Sequence, residues 1–426
     1  MKSETPSRLP IGKSERIPLL EARRERKMTS SAHAYVRGST HRFYEWLEST
    51  RGQSLPKAPS LWIGGDCHVG NIGPIARKDG GIELELRDLD QTSVGSPAHD
   101  VIRLALSMAM AVRAAGLAGA TTLKAIEAIA RGYETVLEHS AARREFVLGA
   151  PPLQVMRLLK QAGGRSRKDL FSERLGKSQR TIPMGKRFWP LTDEERKAVE
   201  KLAGTETFRK LLTSLNSRSD DAPVELVDAA YWVKGCSSLG TWRCAALVQV
   251  GTKKEQQLTL IDIKEALATV APRSKRAKMP KHHGERVVTG ARHLSPYLGN
   301  RMMSSTVMDI PVVIRELLPQ DLKFELEVMS DEEAIDIAAH LGSVVGIAHA
   351  RQLDPKKCAA WLTEFRKEQA AHTQSPAWLW AAVVDLVALH EGAYLEHCRA
   401  HLVAAVSPTG QVSDILSHHA APASAI

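Results

Sequence analysis

Three short segments in the first quarter of the chain carry the residues with the most evident chemistry. Gly65-Asp66-Cys67-His68-Val69-Gly70-Asn71 is followed by Asp88-Leu89-Asp90-Gln91 and then by Gly95-Ser96-Pro97-Ala98-His99-Asp100. Phosphoryl-transfer enzymes use this spacing to place a proton acceptor and two magnesium ligands: an Asp, an Asn five residues later, and a further Asp beyond a short hairpin. The pattern predicts phosphotransfer.

A glycine-rich turn and a lysine further along the chain could bind phosphates. The turn lies between two predicted strands and contains Gly235, Ser237, Ser238 and Gly240, and Lys264 ends the third strand. Small residues let backbone amides approach phosphate oxygens, and a lysine adds a positive charge. Each signal is weak alone, because small-residue hairpins and solvated strand lysines are common. Their order along the chain strengthens the nucleotide-binding interpretation.

Further residues would support the lysine and the nucleotide base. Glu285 would begin the next helix and reach back to Lys264, although a first-turn glutamate stabilised by the helix dipole is an equally good interpretation. Glu265 should lie on the opposite face of the strand from Lys264 and is therefore a poorer partner. Glu316 and Leu317 end a later strand at the expected hinge, where backbone groups would hydrogen-bond an adenine.

The elements that must position these residues follow from hydrophobic periodicity and turn signals. Residues 61–63 predict a short buried strand that enters the first motif, and residues 72–76 and 82–86 flank Asp79-Gly80-Gly81, a strong hairpin signal. Thr192 with Glu195 predicts a capping box. The other predicted strands are 231–233, 243–250, 258–263, 302–308 and 312–317. The predicted helices are 15–47, 99–118, 121–138, 192–215, one from residue 285, 333–351, 355–370 and 377–403; the basic stretch 160–187 shows no clear pattern.

Length, charge and cysteine content narrow the class of protein. At 426 residues the chain is long enough for two lobes, and its formal net charge of +10 favours polyanionic ligands such as nucleotides. The sequence contains no clear nucleic-acid motif and no expected export signal. The apolar stretch 101–120 is interrupted by Arg103 and Arg113, so a buried helix is expected rather than a membrane span. The five cysteines form no CxxC pair, which predicts reduced thiols and a cytoplasmic protein.

Several spaced blocks give the chain a family resemblance. In their order they resemble the bacterial family called domain of unknown function 2252 over nearly the whole chain. The first loop and residues 88–100 are also similar, more distantly, to the HGDxHxGN and IDFxxAxxGDPxxDLA segments of aminoglycoside phosphotransferases and choline kinases. The blocks are residues 27–38, 65–71, 88–92, 235–240, 262–266, 284–288 and 346–351.

The distant resemblance implies a role for each acidic residue. Asp66 would be the catalytic base or a carboxylate that orients the substrate, and Asn71 and Asp88 would be the magnesium ligands. Asp90 would be a further or alternative metal ligand, and Asp100 a structural carboxylate that braces the loop.

Three positions depart from the family pattern. Gly64 stands where the phosphotransferases have His, Ser96 replaces the Asp of their GDP element, and Ser237 replaces the second Gly of a GxGxxG loop. The first two positions perform no phosphoryl chemistry, whereas Ser237 would hold phosphates less closely. His68 is expected to be a loop histidine bonded to the backbone rather than a catalytic group.

The order of the motifs differs from that of ordinary kinases, in which the glycine loop and the lysine precede the catalytic loop. We therefore expect an α+β, bilobal, protein-kinase-like fold that is circularly permuted, with the cut between the helix ending at Arg351 and Leu61. The expected divisions are an N-terminal helical extension (1–58), the catalytic and metal loops with a helical-lobe segment (59–225), a mainly antiparallel nucleotide-binding β lobe (226–322), the remaining helical lobe (323–408) and a flexible tail (409–426).

Together the patterns predict a phosphotransferase that depends on ATP and Mg²⁺ and acts on an unidentified small-molecule or protein acceptor. Nucleotidyl transfer is an alternative. A catalytically silent kinase-like scaffold is another, in which the basic residues 165–187 and 273–286 would bind a protein or a nucleic acid, although solvated loops are the simpler interpretation of both runs. A metallophosphoesterase fits less well, because no DxH precedes the Gly65 motif and no GNH or GHxH follows it.

Overall fold

The structure is a computed structural model, and it describes residues 8–49, 55–77, 79–176, 180–213, 218–235, 239–251, 256–324, 329–367 and 376–405. Helix accounts for 52% of the chain and strand for 16%, with small antiparallel sheets, so the protein is of the predicted α+β class. None of the helices in these ranges has both the length and the apolarity that crossing a bilayer requires.

The N-terminal segment forms three helices rather than the single helix predicted over 15–47. They are α1 (Lys13–Met28), α2 (Ala32–Gly38) and α3 (Thr40–Glu48). Ser31 caps α2 by accepting a hydrogen bond from the backbone N–H of Ala34. A serine side chain that satisfies a free helix N–H favours a new helix start, and the apolar spacing alone did not reveal this break.

Two pairs of short strands support the motif loops. Strand β1 (Leu61–Ile63) pairs antiparallel with β4 (Ser93–Gly95), and β2 (Ile72–Ala76) forms a hairpin with β3 (Ile82–Leu86). Strand β1 and the hairpin were predicted, whereas β4 was not. The first motif therefore leaves β1 and enters β2, while the second lies between β3 and β4.

A helical core packs beneath these strands. It is built around α4 (Pro97–Ala114), α5 (Gly119–Ala141) and α12 (Asp331–Ala350), with α6 (Leu153–Gly163), α13 (Pro355–Phe365) and α14 (Ala377–Ala405) around them. Helices α5 and α12 approach so closely that a Cβ on Gly132 would lie 2.1 Å from the carbonyl oxygen of Ala339. The apolar stretch that contains Arg103 is the buried helix α4.

A six-stranded antiparallel sheet forms the second part of the molecule, in the order β5-β6-β7-β8-β10-β9. The strands are β5 (Phe188–Trp189), β6 (Val224–Trp232), β7 (Arg243–Val250), β8 (Gln257–Glu265), β9 (Met302–Val307) and β10 (Ile310–Glu316). Helices α10 (His283–Leu294) and α11 (Pro296–Gly299) connect β8 to β9. Side chains alternate between the two faces of each strand, so each face has its own apolar cluster.

Helices α7, α8 and α9 lie against opposite faces of this sheet. On one face are α8 (Asp193–Ala203) and α9 (Glu206–Thr213), and on the other is α7 (Arg167–Leu175). The capping box of Thr192 and Glu195 is confirmed, but the helix predicted over 192–215 breaks at Gly204. The stretch 160–187, which shows no clear pattern of periodicity, contains the end of α6 and all of α7.

Candidate functional site

The two motif loops meet because the paired strands β1 and β4 hold their ends together. Gly65 has a positive φ of 74°, and a Cβ on it would lie 2.0 Å from the carbonyl oxygen of Gln91. Only glycine combines that backbone conformation with so close an approach. The glycine of the first motif is therefore required by its contact with the second.

Asp100 braces the first loop, as the resemblance implied. Its Oδ2 and Oδ1 accept hydrogen bonds from the backbone N–H groups of Gly64 (2.6 Å) and Gly65 (2.9 Å). Nε2 of His349, at the end of α12, lies 3.1 Å from Oδ2 of the same fully buried carboxylate. Three donors thus converge on Asp100.

The bonds continue from His349 into the helical core. A carboxylate only accepts, so His349 donates from Nε2 and accepts at Nδ1 from the hydroxyl of Tyr133, 3.0 Å away. The Tyr133 oxygen accepts in turn from Nε1 of Trp361 at 2.9 Å. Every donor in this series of hydrogen bonds points toward Asp100. The series fixes the first motif loop relative to α5, α12 and α13.

Asp66 is held by buried partners. Its Oδ1 accepts from Nε of Arg103 at 2.8 Å, and its Oδ2 accepts from the hydroxyl of Thr40 at 2.9 Å. Arg103 is fully buried, and its Nη2 also donates to the carbonyl of Val36. Each carboxylate oxygen therefore already accepts one hydrogen bond, and the role of Asp66 as a base stays a prediction.

His68 lies in the first motif loop, two residues after Asp66, and is neutral. Burial lowers its pKa to about 3, against the opposing charge of Asp66. Its Nε2 is 3.9 Å from Oδ2 of Asp66, and within the described part of the chain its buried Nδ1 has no hydrogen-bond partner. This neutral histidine does not carry charge at the site.

The hairpin brings Asn71 and Asp88 together. Ile72 pairs with Leu86 in the ladder, and the backbone N–H of Arg87 donates to the carbonyl of Asn71 at 2.7 Å, so Asp88 follows directly beside Asn71. The amide nitrogen of Asn71 donates to the carbonyl of Asp66, which leaves its Oδ1 as the potential ligand atom. The hairpin therefore brings the backbone of Asp88 close to that of Asn71.

Lys264, from the end of β8, reaches the second motif. Its ammonium forms an ion pair with Asp90 and lies 3.8 Å from Oδ1 of Asp88. The side chains of Asp88 and Asp90 are 47% and 35% exposed, whereas that of Lys264 is 13% exposed. Water reaches both carboxylates, although the cleft walls surround them.

The two carboxylates titrate differently. Burial in the cleft acts to raise the pKa of Asp88, but the charges of Lys264, Arg315 and Arg243 outweigh it and hold that pKa well below its usual value. Burial and the negative charge of Asp88 raise the pKa of Asp90, against the opposing effect of Lys264.

The same sheet face carries charged residues that the sequence analysis missed. Arg243 donates from Nε to Oδ1 of Asp262 at 2.7 Å, and Nε of Arg315 lies 3.6 Å from Oδ2 of Asp262. The spacing of two between Asp262 and Lys264 could have revealed their shared face. These residues line a small cleft that opens to solvent, together with Arg87, Asp88, Leu89, Asp90, Val287, Met302 and Val313.

Helix α10 supports the site through Arg286 rather than through Glu285. Glu285 is exposed in the first turn, and the ammonium of Lys264 is taken up by Asp90 instead, so the predicted Lys264–Glu285 ion pair is not formed between these two described residues. The buried guanidinium of Arg286 donates to the carbonyl oxygens of Asp90 (2.8 Å) and Leu267 (2.9 Å). Arg286 thus fixes the second motif loop to the sheet.

The glycine-rich turn is described only in part. Gly235 and Gly240 have positive φ angles of 97° and 101°, as a tight turn requires, and Nζ of Lys27 donates to the carbonyl of Gly235 at 2.6 Å. Ser237 and Ser238 lie outside the described residues. Phosphate binding by this turn stays a prediction.

The expected hinge is engaged by the protein itself. The backbone N–H of Leu317 donates to the carbonyl of Leu260 at 2.9 Å, which corrects its prediction as a free adenine donor. The buried carboxylate of Glu316 accepts from Arg218 (2.7 Å) and from the hydroxyl of Thr259. Both residues extend the sheet, because β10 remains paired to its last residue.

A divalent cation would have few protein ligands here. Within the described ranges no group of three or more His, Cys, Asp and Glu side chains is arranged to hold a metal. Mg²⁺ commonly takes only one or two carboxylates and completes its octahedron with water and substrate phosphates. Asp88, Asp90 and the amide oxygen of Asn71 fit that mode of binding, and they do not fit a closed all-protein site.

Comparison with known proteins gives one match. A family model described as an uncharacterised protein conserved in bacteria (DUF2252) matches residues 16–400. No curated protein and no solved structure matches the chain.

Proposed function

The chain belongs to the DUF2252 family of uncharacterised bacterial proteins, and we propose that it is a phosphotransferase that uses ATP with Mg²⁺ in the cleft between the sheet and the motif loops. One observation carries the proposal. Lys264 from the sheet and the carboxylates Asp88 and Asp90 from the hairpin loop converge in a single solvent-connected cleft. Transfer of a phosphoryl group depends mainly on such charge neutralisation and positioning.

The permuted kinase-like fold belongs to the same proposal. The lysine strand β8 is central in the sheet, and α10 follows it before β9 and β10. Just after α12, the side chain of Gln352 hydrogen-bonds both backbone groups of Trp62 in β1, at 2.9 and 3.0 Å. The two chain positions between which the permutation would cut are therefore neighbours, which supports the proposal.

The residues of the cleft have separate tasks in this mechanism. Lys264 would leave Asp90 and bind phosphate oxygens, while Asp88, Asp90 and Asn71 would hold Mg²⁺, which supplies positive charge to the phosphates when bound. The acceptor oxygen forms a bond to the γ-phosphorus as the bond from that phosphorus to the ADP oxygen breaks. The acceptor proton passes to a base, for which Asp66 is the candidate.

One observation favours the silent scaffold as a second candidate. The carboxylate of Asp66 is buried and ion-paired with Arg103, and the described residues that line the cleft do not include it. A scaffold would transfer no phosphoryl group and would bind a protein or a nucleic acid through its basic surface. Measurement of ADP formation alongside nucleotide binding separates the two candidates.

Thermal unfolding with ATP and Mg²⁺ tests the proposal. Saturation at about a hundredfold excess over the dissociation constant should stabilise the wild type by about 2.7 kcal/mol. Asp88→Ala and Lys264→Ala should lose most of this stabilisation, whereas Lys124→Ala, at an exposed lysine of α5, should keep it. No shift in the wild type at millimolar ATP would contradict the proposal.

A further inference from the structure

We propose that three arginines beside the cleft bind a phosphate group of the acceptor. They are Arg165, Arg174 and Arg187, here called the arginine rim. The inference rests on the proposed phosphotransfer, because it assigns the chemical class of the acceptor: a molecule that already carries a phosphate.

The rim arginines converge on one glutamate. Nη2 of Arg165 lies 2.5 Å from one carboxylate oxygen of Glu173, and Nη2 of Arg174 lies 3.1 Å from the other. Nη1 of Arg187 donates to the backbone carbonyl of Glu173 at 2.6 Å. Glu173 therefore bonds all three guanidinium groups, two through its carboxylate and that of Arg187 through its backbone carbonyl, and the positive charge of the three arginines exceeds the negative charge of this one carboxylate.

Two donors of the rim have no acceptor. Nε of Arg165 and Nε of Arg174 are buried and lack a hydrogen-bond partner among the residues that the structure describes. Leaving a buried donor unsatisfied is unfavourable. The oxygens of a bound phosphate would supply the missing acceptors, and the planar guanidinium fork suits that geometry.

The rim adjoins the cleft through α7. Leu170 and Leu175 of this helix pack in the apolar cluster on the sheet face that also bears Ala245 and Leu260. Because side chains two residues apart share a face, this is the face of Arg243 and Lys264. Arg174 also interacts electrostatically with Asp262, which lines the cleft, so the rim lies near the cleft.

Electrostatics connect the rim with the cleft. Burial lowers the pKa of Arg174, and the neighbouring charges of Arg187 and Arg165 lower it further. Burial likewise lowers the pKa of Arg87, which lines the cleft, to about 10, and Arg315 and Arg174 act in the same direction. An anion bound at the rim would relieve this repulsion, whereas a cation would increase it.

The test uses inorganic phosphate as the probe. Thermal unfolding is followed against phosphate concentration, with potassium chloride at matched ionic strength as the reference. The double variant Arg174→Gln/Arg187→Gln should need about tenfold more phosphate or higher for the same shift, because it lacks two of the three guanidinium groups that would bind the phosphate oxygens. The α5 control Lys124→Gln should respond as the wild type does, and Lys264→Met should keep the part of the response that depends on the rim.

Two results would overturn the inference. One is a wild-type response no larger than that to potassium chloride; the other is a response that survives in the double variant and disappears in Lys264→Met. Should the double variant not fold, the single change at the exposed Arg187 to Gln carries the same expectation. Arg174→Lys, which keeps the charge, should restore part of the affinity.

MgATP binding measured on the same samples separates this inference from the proposed function. A rim-dependent phosphate response without MgATP binding would leave the anion site standing and contradict the phosphotransferase. MgATP binding without a rim-dependent phosphate response would leave the nucleotide site standing and contradict the anion site.

Discussion

Replacing Asp100 with Asn should destabilise the protein severely, because this carboxylate holds the first motif loop. Asn is isosteric but offers one acceptor oxygen in place of two. One of the N–H groups of Gly64 and Gly65 would then face an amide NH₂, and the bond from His349 would be lost or weakened. Loss of one charge-assisted bond and exposure of one unsatisfied buried donor together cost about 3–5 kcal/mol.

Urea unfolding monitored by circular dichroism measures this loss, and hydrogen exchange of peptides covering residues 61–71 locates it. Asp354→Asn is the matched control, because Asp354 is the exposed N-cap of α13 and Asn caps a helix equally well. The control should change the free energy of unfolding by less than about 0.5 kcal/mol. If Asp100→Asn lost less than about 1 kcal/mol and left exchange in the loop unchanged, Asp100 would not be the brace described here.

Two further predictions concern neighbouring positions. Burial raises the pKa of Glu85 to about 7 against the opposing charge of Arg351. The folded state therefore keeps a proton on Glu85 that the unfolded state releases at lower pH, so stability falls as the pH rises from about 4.5 to 7. Glu85→Gln should raise the free energy of unfolding by up to about 3 kcal/mol at pH 8 and by little at pH 4.5. Equal effects at the two pH values would refute this prediction. Gly65→Ala should lower the free energy of unfolding, measured in urea, by about 2–4 kcal/mol, because the position has a positive φ and a Cβ would contact Gln91. Gly80 has a similar φ but open space around it, so Gly80→Ala should lower the same free energy by about 1 kcal/mol. Equal losses would contradict the close approach of Gly65 to Gln91.

Local signals in the sequence predicted the parts of the fold that local interactions specify. The hairpin of β2 and β3 was predicted with its observed bounds, because Asp79-Gly80-Gly81 forms the turn and apolar residues flank it. The capping box at Thr192 was predicted for the same reason. The three N-terminal helices were merged into one, since apolar spacing continues across Ser31 while its capping bond depends on side-chain geometry.

Residues whose role depends on distant partners were not predicted. Nothing in the local sequence distinguishes Arg286, which supports the second motif loop, from the exposed Glu285 beside it. Arg103 interrupts an apolar helix, and only the fold shows that it is buried against Asp66. Helix α7 was not predicted within the basic residues 160–187, because its two packed leucines are too few to give a clear hydrophobic period.

Binding of Mn²⁺ followed by electron paramagnetic resonance tests the central claim most directly, since Mn²⁺ replaces Mg²⁺ at sites of oxygen ligands. With two carboxylates and one amide oxygen from the protein, we expect weak binding of Mn²⁺ alone and strong binding in the presence of ATP. Asp88→Asn should abolish the ternary complex, and Lys264→Ala should weaken it. Equal Mn²⁺–ATP binding by wild type and Asp88→Asn, or none at millimolar concentrations, would contradict a nucleotide site at Asp88 and Lys264.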